Sequence, residues 1–305
     1  MSALAQRARA AQQTGASEPT AMEPPGAPAL SPATIGRAAA LALFDELALA
    51  PKPGLVTLRD SGSHDDMDAH TFMRSLLALQ GYFVRIAGLG AAGADFAALE
   101  RCGIAAEQGM YAATGGVNTH RGAIFSLGLL CAAAGATASS AACAITPHAV
   151  RQTLLQRWGE ALRARALRPS TLPCGVAARR YALRSASHEA SLGFPVLFEV
   201  AMPALQQAVA GGLSRQQALL NTLFHAMAVL DDSNLAHRGG LAGLRYAQAA
   251  ARAFLDAGGA AAPRAIDAAQ HIARVFVARR LSPGGAADTL AAACLLARLN
   301  AASDA

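Results

Sequence analysis

From Ser31 onward, apolar residues recur every three or four positions, Ala and Leu dominate, and β-branched residues are scarce. No stretch alternates apolar and polar as a half-buried strand would, so the pattern predicts an all-α fold. Helices are expected at about 32–49, 67–88, 95–112, 121–139, 147–166, 176–191, 196–209, 215–230, 240–256, 264–280 and 283–300, about eleven in all. Three of the starts pair a hydroxyl residue with proline: Ser31-Pro32, Thr146-Pro147 and Ser282-Pro283. There the hydroxyl can cap the helix and the proline can take its first position. The Gly/Ala-rich run 257–263 reads as a turn and no internal repeat is visible, so residues 31–305 are expected to form one domain. Residues 1–30, with Arg7, Arg9 and the run Pro24-Pro25-Gly26-Ala27-Pro28, lack the apolar centre of a secretion signal and read as a disordered tail.

Composition narrows the function classes. An apolar fraction of 53% over 305 residues suffices for a large core. The five cysteines are scattered without a C-x-x-C pair, which argues against a disulfide framework or zinc site and fits a reducing cytoplasm. A net charge of +6 suggests an anionic partner. Aromatics are sparse and not interleaved with basic residues, so a small polyphosphate is expected rather than nucleic acid. The uncharged run from Gly122 to Pro147 is long enough to span a bilayer, yet its small residues and the lack of a flanking aromatic belt make it a core helix instead.

Against this Ala-rich background, polar and titratable residues gather at helix junctions. Lys52, within PKPGLV, is the one lysine of the chain, held between two prolines. A compact ammonium on rigid flanks suits a phosphate; the alternative is a solvated lysine in a turn. In GSHDDMD, His64, Asp65, Asp66 and Asp68 crowd one helix start, where a cation such as Mg²⁺ would relieve the repulsion. The competing account is that Asp66 caps the helix while Asp65 and Asp68 favour its positive end. Gly115, Gly116, Asn118, Thr119, His120 and Arg121 form a glycine-rich turn that opens a helix and presents donors to an anion.

The run Asp231-Asp232-Ser233-Asn234, followed by His237, Arg238, Gly239 and Gly240, offers both oxygen ligands and phosphate donors, with capping by Asp231 or Asp232 as the alternative. Gly284 and Gly285, with Asp288 one turn on, read as a further phosphate cradle or a capped start. Glu189 is a candidate further acid or an exposed helical glutamate. His70, His148, His225 and His271 fit structural roles better.

Taken in order, PKPGLV, GSHDDMD, GGVNTHRGAIF, HEASLGFP, DDSNLAHRGG and SPGGAADTLAA resemble the triphosphoribosyl-dephospho-CoA synthase family, over Leu43 to about Leu296. The stretch before GSHDDMD, the double aspartate and RSLLALQGYF are closer to the branch serving malonate decarboxylase than to the branch serving citrate lyase. Arg121 stands where the family often has lysine, and Ser233 where threonine is common.

The resemblance implies attack of the 2'-hydroxyl of dephospho-CoA on C1' of the ATP ribose, with adenine leaving and the anomeric centre inverting. It implies Asp66, Asp232 and His64 as catalytic candidates, and phosphate binding by Lys52, Arg121, Arg238 and the glycine turns. Asp66, Asp231 and Asp232 are the expected Mg²⁺ ligands. The product would feed the prosthetic group of an acyl carrier protein; no nucleic-acid or membrane partner is expected, and a homodimer is left open. Two other functions fit the same residues: a Mg²⁺-dependent nucleotide N-glycosidase, and a helical nucleotide-binding module without catalysis. The clustered acids speak against the module, because a pure anion binder would avoid negative charge.

Overall fold

The computed structural model describes residues 30–140 and 145–303. The expected tail at 1–30 lies almost wholly outside the described residues, and Cys143 also lies outside them. No strand occurs among the described residues, and the chain is all-α. The helices are α1 (Pro32–Ala48), α2 (Ala69–Ala91), α3 (Phe96–Thr114), α4 (Arg121–Ala138), α5 (Pro147–Ala166), α6 (Pro173–Arg180), α7 (Ala186–Ser191), α8 (Met202–Ala210), α9 (Arg215–Val229), α10 (Ser233–Asp256), α11 (Ala265–Ala278) and α12 (Gly284–Ser303). A π-turn (Leu197–Ala201) precedes α8, and a 3₁₀ turn (Gly259–Ala261) follows α10.

Two of the three hydroxyl-proline starts act as caps. Ser31 Oγ accepts from the Thr34 amide at 3.1 Å, and Thr146 Oγ1 accepts from the Ala149 amide at 3.1 Å. Three elements differ from the expected boundaries. The expected helix 176–191 is two helices, broken where Ala182 takes a positive φ of 53° and restarted by the Ser185 cap. Pro203 has no amide hydrogen to return to the preceding turn, and the chain widens there into the π-turn ahead of α8. Helix α10 begins at Ser233 rather than at 240, and the expected start survives as a break at Gly240 (φ 63°, ψ −171°).

The core centres on α4, which packs against α1, α2, α3, α5 and α12. Leu127, Leu130 and Ala132 to Ala134 are almost wholly enclosed. Among the described residues α4 is the one helix long and apolar enough to cross a membrane, and 72% of it is buried in the protein. The buried apolar side chains of all the long helices join into one contiguous cluster. Small residues let α2 and α4 approach closely. A Cβ on Gly90 would overlap the Ala132 carbonyl, and one on Gly135 would overlap the Ala87 carbonyl. Tyr82 crosses the same interface and donates to the Ile124 carbonyl at 2.8 Å. The crossing anchors the first turn of α4, where the polar residues gather.

Gly90→Val is expected to lower stability by about 1–3 kcal/mol through overpacking of this crossing. A urea unfolding midpoint checks it, and Gly88→Ala, which meets nothing within 4 Å, is the control.

Candidate active site

The five polar junctions singled out by the sequence come together at one end of the helical bundle. The strap 51–68 between α1 and α2 lies against the turn that starts α12. Gly54 is pressed so closely on the Leu281 carbonyl that no side chain fits, and Ser63 Oγ donates to that carbonyl at 2.6 Å. His64 Nε2 lies 2.9 Å from Ser282 Oγ. Arg238, on α10, donates to the Ser63 and Arg280 carbonyls. Asn234 donates to the Ser282 carbonyl at 3.0 Å. The start of α4 completes the junction, with Gly122 directly under the Asp288 carboxylate.

Asp232 is the pivot. It is 3% exposed and is the N-cap of α10: Oδ1 accepts from the Asn234 amide at 2.9 Å and the Leu235 amide at 3.2 Å. Oδ2 accepts from the Ala286 amide at 3.1 Å, so the same carboxylate also caps α12. Ser282, the expected cap of α12, instead spends its hydroxyl on His64. Burial pushes the Asp232 carboxyl above its ordinary value, and the helix amides pull it back.

Lys52 and Glu46 form an enclosed pair. Lys52 Nζ donates to Glu46 Oε1 at 2.5 Å and to the Glu46 carbonyl at 2.6 Å, with no exposed surface left on its side chain. Burial lowers the Lys52 pKa, and Glu46 opposes that shift. The expected phosphate contact is therefore not what Lys52 makes here; its charge compensates a carboxylate. Glu46 was not among the candidates, although one sign pointed to it. It continues the stripe Ile35, Ala39, Ala42, Leu43 at helical spacing, which places a carboxylate on the buried face of α1.

His120 is 4% exposed. Its Nδ1 lies 2.7 Å from the hydroxyl of the fully buried Ser75, which the sequence also left unmarked. Its ring packs edge-on against Phe72. Burial, helped by the Lys52 charge, lowers its pKa to about 3, so it is a neutral imidazole at physiological pH. Four buried side-chain polar atoms have no hydrogen-bond partner among the described residues: His64 Nδ1, Thr119 Oγ1, His120 Nε2 and Arg165 Nε. Three of the four belong to the junction.

The remaining candidates are placed as follows. Gly115 caps α3 in the left-handed conformation, and Gly115 and Gly116 face open space beside the exposed Asn118, whose Oδ1 accepts from the Arg121 amide at 3.3 Å. Arg121 turns away to Glu107, at 3.1 Å, and Tyr111 on α3. Gly284 and Gly285 lie against Asn234 and Asp232, where a larger residue would crowd them. Gly239 packs on Leu281, Gly240 forms the break in α10, and His237 is exposed. Glu189 is buried; it accepts from the Val196 amide at 2.7 Å and from Arg184, so it is neither exposed nor part of the junction contacts. Cys174 of α6, absent from the candidates, approaches Asn234 Oδ1 at 3.5 Å.

The acids expected to hold Mg²⁺ do not share a site. Asp66 is largely exposed, 3.7 Å from His64 Nδ1. Asp231 accepts from the Arg184 amide at 3.2 Å, and Asp232 is taken up by helix ends. Among the described residues no group of three His, Cys, Asp or Glu side chains is placed to hold a metal. The cap of α2 is Asp68 rather than Asp66: Asp68 Oδ1 accepts from the Thr71 amide and hydroxyl at 2.8 Å, and these bonds lower its pKa. A cavity of about 490 Å³ lies between the strap and α11, lined by Pro51, Arg59 and Asp60 together with Gln216, Gln270 and Arg274.

Asp288 makes no hydrogen bond or ion pair with a described residue. Burial, then the charges of Glu46 and Asp232, raise its pKa well above the ordinary carboxylate value.

Residues 32–305 match the family model described as CitG, ATP:dephospho-CoA triphosphoribosyl transferase. No solved structure matches the chain.

Asp232→Asn turns an NH₂ group toward helix amides that need an acceptor. It is expected to cost about 1–3 kcal/mol of stability, read by urea unfolding. The raised pKa of Asp288 means the folded state holds a proton that the unfolded state releases near 3.8, so stability falls as pH rises through the folded value. Asp288→Asn keeps the neutral form at all pH. Its melting temperature should match the wild type near pH 3.5 and exceed it at pH 8.

Proposed function

Because the chain belongs to the ATP:dephospho-CoA triphosphoribosyl transferase family, we propose that the junction of the 51–68 strap with the starts of α4, α10 and α12 is where it transfers the triphosphoribosyl group of ATP to dephospho-CoA. It is an enzyme of the pentosyltransferase type, and we take residues 31–305 as its catalytic domain. The observation that carries this location is the set of three enclosed, unpartnered polar atoms, His64 Nδ1, Thr119 Oγ1 and His120 Nε2, in one junction. Buried polar atoms cost free energy unless something bonds them, and a polar ligand supplies the missing partners.

The anionic end of the donor has a suitable place at the first turn of α4. His120 caps no amide there, and Gly115 and Gly116 leave open space in front of the helix. Helix amides and the positive end of the dipole favour phosphate oxygens. Thr119 Oγ1 and His120 Nε2 stand at the same helix end. The neutral His120 accepts or donates one hydrogen bond without adding charge, its tautomer set by Ser75. On this reading Arg238 holds the strap in place, Arg121 ties the start of α4 to α3, and the open start of α4 meets the triphosphate.

The reaction forms a bond from the 2'-hydroxyl oxygen of dephospho-CoA to C1' of the ATP ribose and breaks the bond from C1' to adenine. A single displacement inverts that carbon, so the acceptor hydroxyl and the departing base occupy opposite faces of the ribose. His64, fixed by Ser282 through Nε2 and with Nδ1 lacking a hydrogen-bond partner, stands on the strap side as the group for the acceptor hydroxyl. The separated acids do not fit a resident magnesium site, and magnesium enters as the counter-ion of the ATP triphosphate. The closeness of the strap and RSLLALQGYF to the malonate decarboxylase branch supports that acyl carrier protein, rather than the one of citrate lyase, as the destination of the product.

Incubated with ATP and dephospho-CoA, the protein is expected to release adenine in step with a product whose mass is the sum of dephospho-CoA and the triphosphoribosyl group less water. Adenine appearing equally fast from ATP alone would favour the N-glycosidase. His120→Ala is expected to lower kcat/KM for ATP by about 10²-fold or more, measured by adenine release.

A further inference from the structure

Asp288 of α12 lies against the first turn of α4, near enough to Glu46 of α1 and Asp232 at the start of α10 to feel both their charges. The other two have their charge compensated in the fold. Lys52 is bonded to Glu46, and the amides of two helices hold Asp232. Asp288 has neither a cation nor an amide among the described residues. Its Oδ2 rests against Gly122, where any side chain would collide with it, so the fold keeps that space for the carboxyl. His120, two residues before Gly122, is buried with Nε2 unpartnered at the same helix end. A carboxyl without a partner and a histidine nitrogen without a partner thus belong to the same end of α4, which the open glycine turn precedes.

We propose that Asp288, in its protonated form, is the general acid that delivers a proton to the adenine leaving group. The inference rests on reading the protein as a triphosphoribosyl transferase and adds the residue that lets the base depart. Adenine leaves poorly as an anion, so protonation of a ring nitrogen lowers the barrier to breaking its bond to C1'. Burial first, and then the negative charges of Glu46 and Asp232, disfavour the ionised form of Asp288 and favour the form that carries the proton.

In the step, the electron pair of the C1'–N9 bond goes to the purine and the Asp288 O–H proton goes to a purine ring nitrogen. In the same displacement the acceptor oxygen bonds to C1' from the opposite face, and its proton then returns through solvent to the Asp288 carboxylate. One proton passes in total from the acceptor hydroxyl to adenine, and the enzyme is regenerated.

The test compares two donors in the full chain. In 2-fluoro-ATP the base is less basic and leaves more readily without protonation. Asp288→Asn is expected to lower kcat with ATP by about 10²-fold or more, and with 2-fluoro-ATP by a factor at least about fivefold smaller. A merely structural role would lower both rates equally, and equal losses overturn the proposal. Should the Asn variant not fold, Asp288→Ala is read by the same ratio of losses. Failure of the wild-type protein to form product from either donor would overturn the reading of the reaction instead, so the two failures are distinguishable.

Discussion

A single buried carboxylate joins the ends of two helices in this protein. Asp232 accepts amides from the first turn of α10 and from the first turn of α12, which lie far apart in the chain. Helix starts carry unsatisfied amides and a positive dipole end, so two of them repel unless an anion sits between them. With Asp232 in place, α12 is held so that Asp288 lies over Gly122 at the start of α4. Three helix starts are thereby brought to one spot, and the 51–68 strap closes over them through Ser63, His64 and Arg238.

The charges at that spot are unevenly settled. Lys52 is consumed by Glu46, and Asp232 by backbone amides, so neither is free to meet a substrate. What stays open is a half-buried carboxyl, an enclosed neutral imidazole nitrogen and an enclosed threonine hydroxyl, all short of partners. Leaving such groups unsatisfied lowers the stability of the folded chain, a cost that proteins bear where a ligand is to be bound or a proton moved. The cations expected to meet phosphate are turned to loop carbonyls and to α3.

Much of the candidate site was legible before the structure. Polar residues in an Ala-rich chain stand out wherever they cannot serve the core, and all five junctions that stood out do converge. The roles within the junction were less legible. Asp232 and Asp66 look alike in sequence, yet one is buried between helix ends and the other is largely exposed. Asp68 rather than Asp66 caps α2, a difference of two residues that depends on where the helix turns in. Glu46 lay within a plain helical run, and only its place in the apolar stripe of α1 marked it. Ser75 and Cys174 carried no local sign, because their importance comes from neighbours 45 and 60 residues away.

The helical class, most helix boundaries and the positions of the polar junctions followed from the sequence alone. Periodicity, caps and glycine turns act over a few residues, and those short-range preferences are written where they act. Which carboxylate is compensated, which cation is consumed and which polar atom is left without a partner were decided only by the tertiary structure. Burial and pairing depend on groups brought together from distant parts of the chain, and electrostatic cost in a poorly solvated interior is set by those neighbours rather than by residue type.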